Sequence, residues 1–322
     1  MNHGRWEKTT FEGYSAWKGF NVNLELMLLP SLGSKIVSLK DRVTGREWLS
    51  RTAMPLGHRG YGSSFAEGDG SGWDEMFPTI DACELQESPW RGTKLPDHGE
   101  VWSLPWRCEP IQDNRLHCAV DGLQLPYRLE KTYSFTDKGR LRIDYRAANV
   151  SSDPIPFLWA AHPLFQVNAG MMIEVPDELN RVIVSYSHKN RLGARGSRLS
   201  WPRASLPGQT EVFLNDVEAA CAQTAEKFYF DGMLPEGRVS LYDPASGEKL
   251  TLLFPQEKIP YLAIWANYGG YSNQYHVALE PATGFLDNVA TAWRQGKTAI
   301  IAGFGQYEWS LELDLEHNKR GE

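Results

Sequence analysis

The 322-residue chain has few of the features that mark several common protein classes. No apolar run reaches the roughly 18 residues of a membrane-spanning helix. The N-terminal stretch MNHGRWEKTTFEG has no apolar core, so we expect no secretory signal and a cytoplasmic location. The four cysteines (Cys83, Cys108, Cys118 and Cys221) are irregularly spaced and form no C-x-x-C pair. This spacing favours reduced structural thiols over a disulfide framework.

Runs of lysine and arginine are also missing, and the net charge of −7 argues against a nucleic-acid partner. The glycine patterns of nucleotide-binding loops are absent. No two histidines have the spacing of metal ligands on a helix. The acidic stretch EGDGSGWDEMFP (67–78) carries Pro78 where a calcium loop needs a glutamate. We therefore expect no metal, no cofactor, no nucleic acid and no membrane, and a small molecule as the partner.

Helical periodicity is scarce, whereas alternation of apolar and polar residues recurs along the whole chain. Examples are FNVNLELMLLP (20–30), the hairpin-like pair LEKTYSF and GRLRIDYRAANV (129–150), and YEWSLELDL (307–315). Many short strands without intervening helices predict a large antiparallel β-sandwich, here one domain over residues 1–322. The best helix candidate, residues 211–223, is weak. The strand-poor stretch 51–100 is long enough to predict a functional loop region.

Two histidines stand in settings that need an explanation. His98 lies in LPDHGEVW (95–102), where it is either a solvated turn residue or a hydrogen-bond donor above a pocket walled by Trp102. His162 lies in the apolar LWAAHPLF (158–165) and is either a satisfied core histidine or a cavity-facing ring. Pro163 places His162 near a strand end, because proline is confined to strand edges and ends.

Glu280 ends the strand-like YHVALE (275–280), where alternation places His276, Ala278 and Glu280 on one face. The two interpretations are a salt-bridged glutamate at a sheet end and a general base whose pKa is raised by burial.

A carboxylate and two imidazoles without a metal suit proton transfer at two oxygens of one small substrate. A hexose hemiacetal is such a substrate, because removing the O1 proton while protonating the ring oxygen opens the ring. Closure on the other face after rotation about C1–C2 inverts the anomer.

The segments HGEVW, AAHPLF and LEPATGF, in this order, resemble the aldose 1-epimerase (galactose mutarotase-like) family over nearly the whole chain. The resemblance implies a β-supersandwich, no cofactor and a sugar cleft across one sheet. It implies that Glu280 is the base acting on O1 and His162 the acid acting on the ring oxygen. His98 is implied to be a second donor in the same region.

Departures from the family pattern predict a divergent branch. The early Asn-Arg pair of the family is missing, and either Arg59 or Arg91 is expected to substitute for it, with Arg59 counted among the residues that contact the sugar. The loop GSGWDEMFPTIDA (70–82) is interpreted as a specificity wall, with Trp73 stacking on a ring and Asp74 and Glu75 holding hydroxyls. The alternative is a structured loop with a buried tryptophan. Trp102 completes the expected binding residues.

Three functions stay open from the sequence: an aldose 1-epimerase acting on a free or modified aldose, a hexose-phosphate 1-epimerase, and a non-catalytic sugar-binding protein. The phosphate alternative needs basic residues near the cleft, for which Arg59, Arg91, Lys94 and Arg107 are candidates. The protein is expected to be a monomer or a homodimer. The sequence leaves the sugar and its anomeric preference undefined.

Overall fold

The computed structural model describes residues 4–112, 114–206 and 211–317. Within these ranges, none of the helices has the length and apolar character needed to cross a membrane.

Strands make up nearly all of the regular structure. In chain order, those of the first half are β1 (Arg5–Phe11), β2 (Tyr14–Phe20), β3 (Leu24–Leu29), β4 (Lys35–Asp41), β5 (Trp73–Met76), β6 (Cys83–Glu84), β7 (Lys94–Leu95), β8 (Arg107–Gln112), β9 (Arg115–Asp121), β10 (Tyr127–Phe135), β11 (Leu141–Asn149), β12 (Ile155–Phe157) and β13 (Ala160–Phe165).

The second half continues with β14 (Met172–Glu174), β15 (Arg181–Ser187), β16 (Arg198–Ser200), β17 (Arg203–Ala204), β18 (Val212–Phe213), β19 (Thr224–Phe230), β20 (Arg238–Asp243), β21 (Glu248–Leu253), β22 (Tyr261–Tyr268), β23 (Tyr275–Ala282), β24 (Ala299–Ile301) and β25 (Gln306–His317). The described residues include one α-helix, α1 (Val289–Arg294), and 3-10 turns at Phe65–Glu67, His188–Asn190 and Ala220–Ala222.

Two large antiparallel sheets dominate the described residues. The larger has eleven strands in the order β1-β2-β3-β4-β5-β13-β23-β22-β19-β15-β16. The smaller has eight, in the order β14-β20-β21-β25-β11-β10-β9-β8. The predicted hairpin forms here: β10 and β11 pair from Tyr127↔Asn149 to Phe135↔Leu141, and the Gly139 N–H closes the turn on the Thr136 carbonyl.

The main hydrophobic core lies between these sheets, as period-two alternation requires. Leu129 and Tyr133 of β10 and Val277 and Leu279 of β23 all belong to it. The intervening residues of β23 therefore face away from the smaller sheet. The predicted all-β sandwich is confirmed, and the stretch 51–100 holds only short elements, as expected.

Two local expectations are wrong. Residues 211–223 contain β18 and a 3-10 turn instead of an α-helix, whereas the helix forms at α1, where the Asn288 side chain accepts a hydrogen bond from the Thr291 N–H. Cys108 and Cys118 are not reduced thiols. They are directly opposed in the β8–β9 ladder and form a disulfide, a pairing that irregular sequence spacing does not reveal.

Candidate functional site

A cavity of about 330 Å³ lies on the face of the larger sheet that points away from the core. Residues of β13, β15, β19, β22 and β23 line it, together with the segments 64–66, 80–81 and 97–98. The polar side chains of its lining include His98, His162, Lys227, His276, Glu280 and Asp287.

His162 and Glu280 meet across neighbouring strands of this sheet. Because Leu164 of β13 is opposite Ala278 of β23, the next outward-facing pair is His162 and Glu280. Their side chains are buried, with His162 5% and Glu280 0% exposed. His162 Nδ1 lies 2.9 Å from Glu280 Oε1. Because a carboxylate oxygen can only accept, the ring proton of neutral His162 is on Nδ1, which donates to Glu280. Nε2 is then an acceptor.

Lys227 of β19 joins this pair to a second carboxylate. Its Nζ lies 2.8 Å from Glu280 Oε2 and 2.9 Å from Asp287 Oδ1. The Tyr229 hydroxyl donates to Asp287 Oδ1 at 2.9 Å, and the Ser185 hydroxyl donates to Oδ2. The floor of the cavity is thus a continuous network of ionic hydrogen bonds.

The electrostatics of Glu280 differ from the sequence expectation. Burial alone raises the pKa of its carboxyl, but Lys227 and His162 outweigh burial and lower the pKa to about 2. The expected rise in pKa is therefore wrong in direction, because the sequence did not reveal Lys227 as a partner. Burial lowers the pKa of His162, and Glu280 offsets part of that effect. The resting pair is an ionised carboxylate and a neutral imidazole.

His98 approaches the cavity from a tight turn. Its backbone is left-handed, with φ of 58°, and its N–H donates to the Ile80 carbonyl at 2.6 Å. The following Gly99 has φ of 73°, and a Cβ there would lie 2.1 Å from the Phe77 carbonyl oxygen. Only glycine fits this approach, which explains the His-Gly sequence.

Asp97 fixes both His98 and the segment that covers the cavity. Its Oδ1 lies 2.8 Å from His98 Nδ1, while Oδ2 accepts the Phe65 N–H at 2.8 Å and the Ser64 hydroxyl at 3.3 Å. Burial raises the pKa of Asp97, but the His98 hydrogen bond and charge and the other donors lower it to about 2. His98 Nε2 is left as the ring nitrogen available to a ligand.

The three residues expected to be catalytic share the cavity. The centroids of the His98 and His162 rings are 5.4 Å apart. Phe65 stacks on His98 at 4.1 Å and meets His162 edge-on at 5.2 Å. Such a grouping, with two ring nitrogens and a carboxylate around one small space, can exchange protons with a single small molecule.

The expected specificity wall lies elsewhere and needs correction. Trp73, Asp74 and Glu75 form buried strand β5, and none of them lines the cavity. Trp73 packs in the main core. Asp74 is opposite His162 in the ladder and lies 3.0 Å from Lys35, but burial raises its pKa to about 6.

Glu75 points in the opposite direction from Asp74, into the space between the sheets. It accepts hydrogen bonds from the Tyr145 hydroxyl at 3.0 Å and the Trp159 indole at 2.8 Å, and it pairs with Lys131 at 3.5 Å. This segment is therefore structural, because its strand is covered on both faces.

The other two expected binding residues also lie outside the cavity lining. Arg59 lines a separate small hollow with Lys35 and Trp102. Trp102 is buried, donates its indole N–H to the Asp97 carbonyl at 3.1 Å and packs against Phe65 with centroids 5.1 Å apart. It supports the wall from behind instead of forming it.

Sequence reasoning missed Lys227, Asp287 and Asp97. A lysine on a strand is usually interpreted as solvated, although Lys227 and Tyr229 alternate in the sequence with the core residues Phe228 and Phe230, which was a usable signal. Asp97 is a typical turn former, so its sequence context predicts a turn and no partner for His98, and Asp287 lies in a loop without a motif.

Comparisons with known proteins show similarity in part of the sequence and in the fold. The aldose 1-epimerase family profile matches residues 84–186. Among solved structures, Slr1438 from Synechocystis sp. PCC 6803 is 17% identical with a TM-score of 0.67, covering 97% of this chain and 96% of its own. No curated protein matches significantly.

Two further structures carry mutarotase names. A galactose mutarotase related enzyme from Lactobacillus acidophilus is 14% identical, with a TM-score of 0.65 and coverage of 95% of this chain and 98% of its own. A galactose mutarotase-like protein from Lactobacillus casei ATCC 334 is 15% identical, with a TM-score of 0.65 and coverage of 97% and 100%. At these identities the likeness shows the shared fold. The profile match and the fold together confirm that this chain resembles the aldose 1-epimerase (galactose mutarotase-like) family, at the low identity expected of a divergent branch.

Proposed function

We propose that the protein is an aldose 1-epimerase that interconverts the anomers of a neutral aldose by proton transfer. The observation that carries the proposal is the buried contact of 2.9 Å between His162 and Glu280 on the floor of a cavity that also receives His98. Neither the family profile nor the fold specifies a substrate, so the argument rests on the chemistry of these side chains.

The proton transfers balance within the His162–Glu280 pair. His162, neutral at rest, first takes up one proton from solvent at Nε2 and becomes an imidazolium beside the ionised Glu280. Glu280, kept ionised by Lys227, then accepts the O1 proton, while the His162 imidazolium donates its Nε2 proton to the ring oxygen. The C1–O5 bond breaks, C1 becomes the aldehyde, and the pair passes from two opposite charges to two neutral groups. After rotation about C1–C2 the reverse transfers close the ring on the other face. The direct contact holds the two groups whose charges change side by side, and both side chains are buried, which strengthens the interaction between them.

His98 has a supporting role in this scheme. Because Asp97 Oδ1 holds Nδ1 at 2.8 Å, Nε2 is left for the sugar, where it accepts a hydroxyl hydrogen in the neutral ring and donates in the imidazolium. We propose that it orients the sugar at the reacting end of the cavity.

The charge balance of the cavity supports a neutral sugar over a sugar phosphate. The cations that line it are Lys227, paired with Glu280 and Asp287, and Arg195, paired with Asp81 at 2.9 Å. A phosphate dianion needs cations that are not already neutralised. Of the basic residues considered for a phosphate, Arg59, Arg91, Lys94 and Arg107, none lines this cavity.

The test is the rate of anomer exchange, measured by polarimetry or exchange NMR on freshly dissolved aldoses and their 6-phosphates. Wild-type protein is expected to accelerate at least one neutral aldose. Glu280→Gln should lower the rate about 10³-fold, because the isosteric amide cannot accept the O1 proton.

Glu25→Gln is the matched control, since Glu25 lies in the same sheet on β3 and pairs with Lys18 at 2.8 Å outside the cavity. It should keep the wild-type rate. Acceleration of phosphates alone would favour the phosphate alternative. Binding without acceleration of any sugar would identify a non-catalytic sugar-binding protein.

A further inference from the structure

The cavity has a second polar group that the proton transfers do not use. His276 lines it, on the same outward face of β23 as Glu280 but four residues away. At the usual rise of a strand, the two Cα atoms are separated by about 13 Å. His276 therefore lies toward the end of the cavity remote from the reacting centre, beside an aromatic group formed by Tyr186, Trp265 and Tyr271.

The tautomer of His276 follows from its partner. The Trp265 indole Nε1 lies 3.0 Å from His276 Nε2. An indole N–H can only donate, so Nε2 must be the acceptor and the ring proton must sit on Nδ1. Burial, with a smaller contribution from His162, lowers the pKa of His276 to about 3. The ring thus stays neutral in this single form at physiological pH.

Nδ1–H of His276 is a donor without a partner. The residue is 1% exposed, and among the described residues nothing accepts a hydrogen bond from Nδ1. Buried donors in folded proteins are nearly always paired, and an unpaired one is costly. A donor of this kind on a cavity wall is suited to a ligand acceptor.

We propose that His276 is a specificity residue whose Nδ1–H donates to a hydroxyl oxygen of the sugar on the side remote from C1. The inference rests on the proposed function, since it assumes a sugar in the cavity. A hydroxyl oxygen has the required lone pairs, whereas a protonated amino group has none. The site is therefore expected to bind the hydroxy sugar, and to reject both the corresponding deoxy sugar and the amino sugar.

Two substitutions separate the contacts of His276. His276→Gln reaches the Nε2 position and can still accept from Trp265, but it loses the donor at Nδ1. His276→Asn keeps a donor near Nδ1 and loses the acceptor for Trp265. Thermal unfolding of both variants checks that each is folded.

The first measurement is KM for the best aldose and for its deoxy derivatives at each position other than C1. In the wild type, removal of one hydroxyl should raise KM about three- to tenfold, the weight of one neutral hydrogen bond. In His276→Gln the parent sugar should lose that same factor, and the deoxy penalty at that position should vanish. In His276→Asn part of the penalty should remain. An equal loss for every derivative in His276→Gln would overturn the proposal.

The second measurement needs no sugar. Long-range proton–nitrogen correlation NMR of labelled protein reports which ring nitrogen is protonated, and we expect Nδ1–H. Protonation at Nε2 would overturn the inference, whatever the activity. If no aldose is accelerated, the proposed function fails. The same sugars titrated by NMR would still show whether His276→Gln removes the preference for one hydroxyl.

Discussion

The two imidazole–carboxylate pairs of the cavity are built in contrasting ways. His162 and Glu280 lie on adjacent central strands, both buried, in a register fixed by the ladder on either side. Asp97 and His98 are neighbours on a turn, with side chains 33% and 20% exposed and His98 in a left-handed conformation. The same two functional groups are therefore held once by the sheet and once by a loop.

The difference in support suggests different roles for the two pairs, proton transfer for the pair on the strands and positioning of the substrate for the pair on the loop. The sheet pair has a third partner, Lys227, and no freedom to change its geometry without disturbing neighbouring strands. The loop pair depends on contacts with the covering segment, because Asp97 also holds the Phe65 N–H. A rigid pair suits proton transfer, which needs fixed distances, whereas a loop-held pair can follow the substrate.

The largest effect should come from the sheet pair. His162→Asn keeps an amide near Nδ1 that can donate to Glu280, but it removes the ring that exchanges the proton. We expect anomer exchange, followed by NMR, to slow about 10³-fold. His117→Asn, in the smaller sheet, is the control and should keep the wild-type rate. A decrease of less than tenfold in the exchange rate would show that His162 does not take part in proton transfer.

A smaller loss is expected from His98→Asn. Asparagine tolerates the left-handed backbone at this position, so the turn should survive while the ring nitrogen is lost. We expect a reduction of about 10–100-fold, mainly in KM if His98 orients the sugar. A loss equal to that of His162→Asn would mean that the two pairs do not differ in role.

Asp97→Asn should have a milder effect. The amide oxygen can still accept from His98 Nδ1–H, but the negative charge disappears and one acceptor for the 64–65 segment becomes a donor. We expect roughly a tenfold lower kcat/KM at neutral pH. Asp137→Asn on an exposed turn provides the charge-matched control. Wild-type kinetics in Asp97→Asn would show that the loop pair needs no carboxylate.

The smallest effect concerns stability at acidic pH. The pKa values of Glu280 and Asp97 are lowered to about 2 in the folded state. Both carboxylates therefore stabilise the fold at pH values above their unfolded-state pKa values, and this stabilisation is lost as the pH falls toward 2. Melting temperatures between pH 7 and pH 3 should fall less in Glu280→Gln than in the wild type, by a few degrees. Asp97→Asn should show a weaker change, since Asp97 is partly exposed. A steeper fall in either variant would contradict the assigned pairing.

Much of the fold was predictable because alternation is a local signal. The hairpin β10–β11 and strands β20 to β23 follow directly from period-two patterns in the sequence. Strands β8 and β9, in contrast, were missed. The residues in β8 are mostly exposed and include Pro110, so they show no apolar alternation.

The site was predictable only in part. His98, His162 and Glu280 could be found because each is anomalous within its own segment. Lys227 and Asp287 could not be assigned to the site from the sequence, because their contacts with Glu280 and with each other join segments that are distant in the chain. The side on which Asp74 and Glu75 lie was likewise undefined, since a strand buried on both faces carries no inside–outside pattern.

Strand β5 places one carboxylate on each of its faces, Asp74 toward Lys35 and Glu75 toward Lys131. A one-residue slip of this short strand would reverse both, separating each acid from its buried cation. The two consecutive acids therefore favour a single register of β5. Because Asp74 is directly opposite His162 in the ladder, that register also fixes the position of His162. The carboxylates first interpreted as sugar ligands instead fix the position of His162, the imidazole that we propose as the acid.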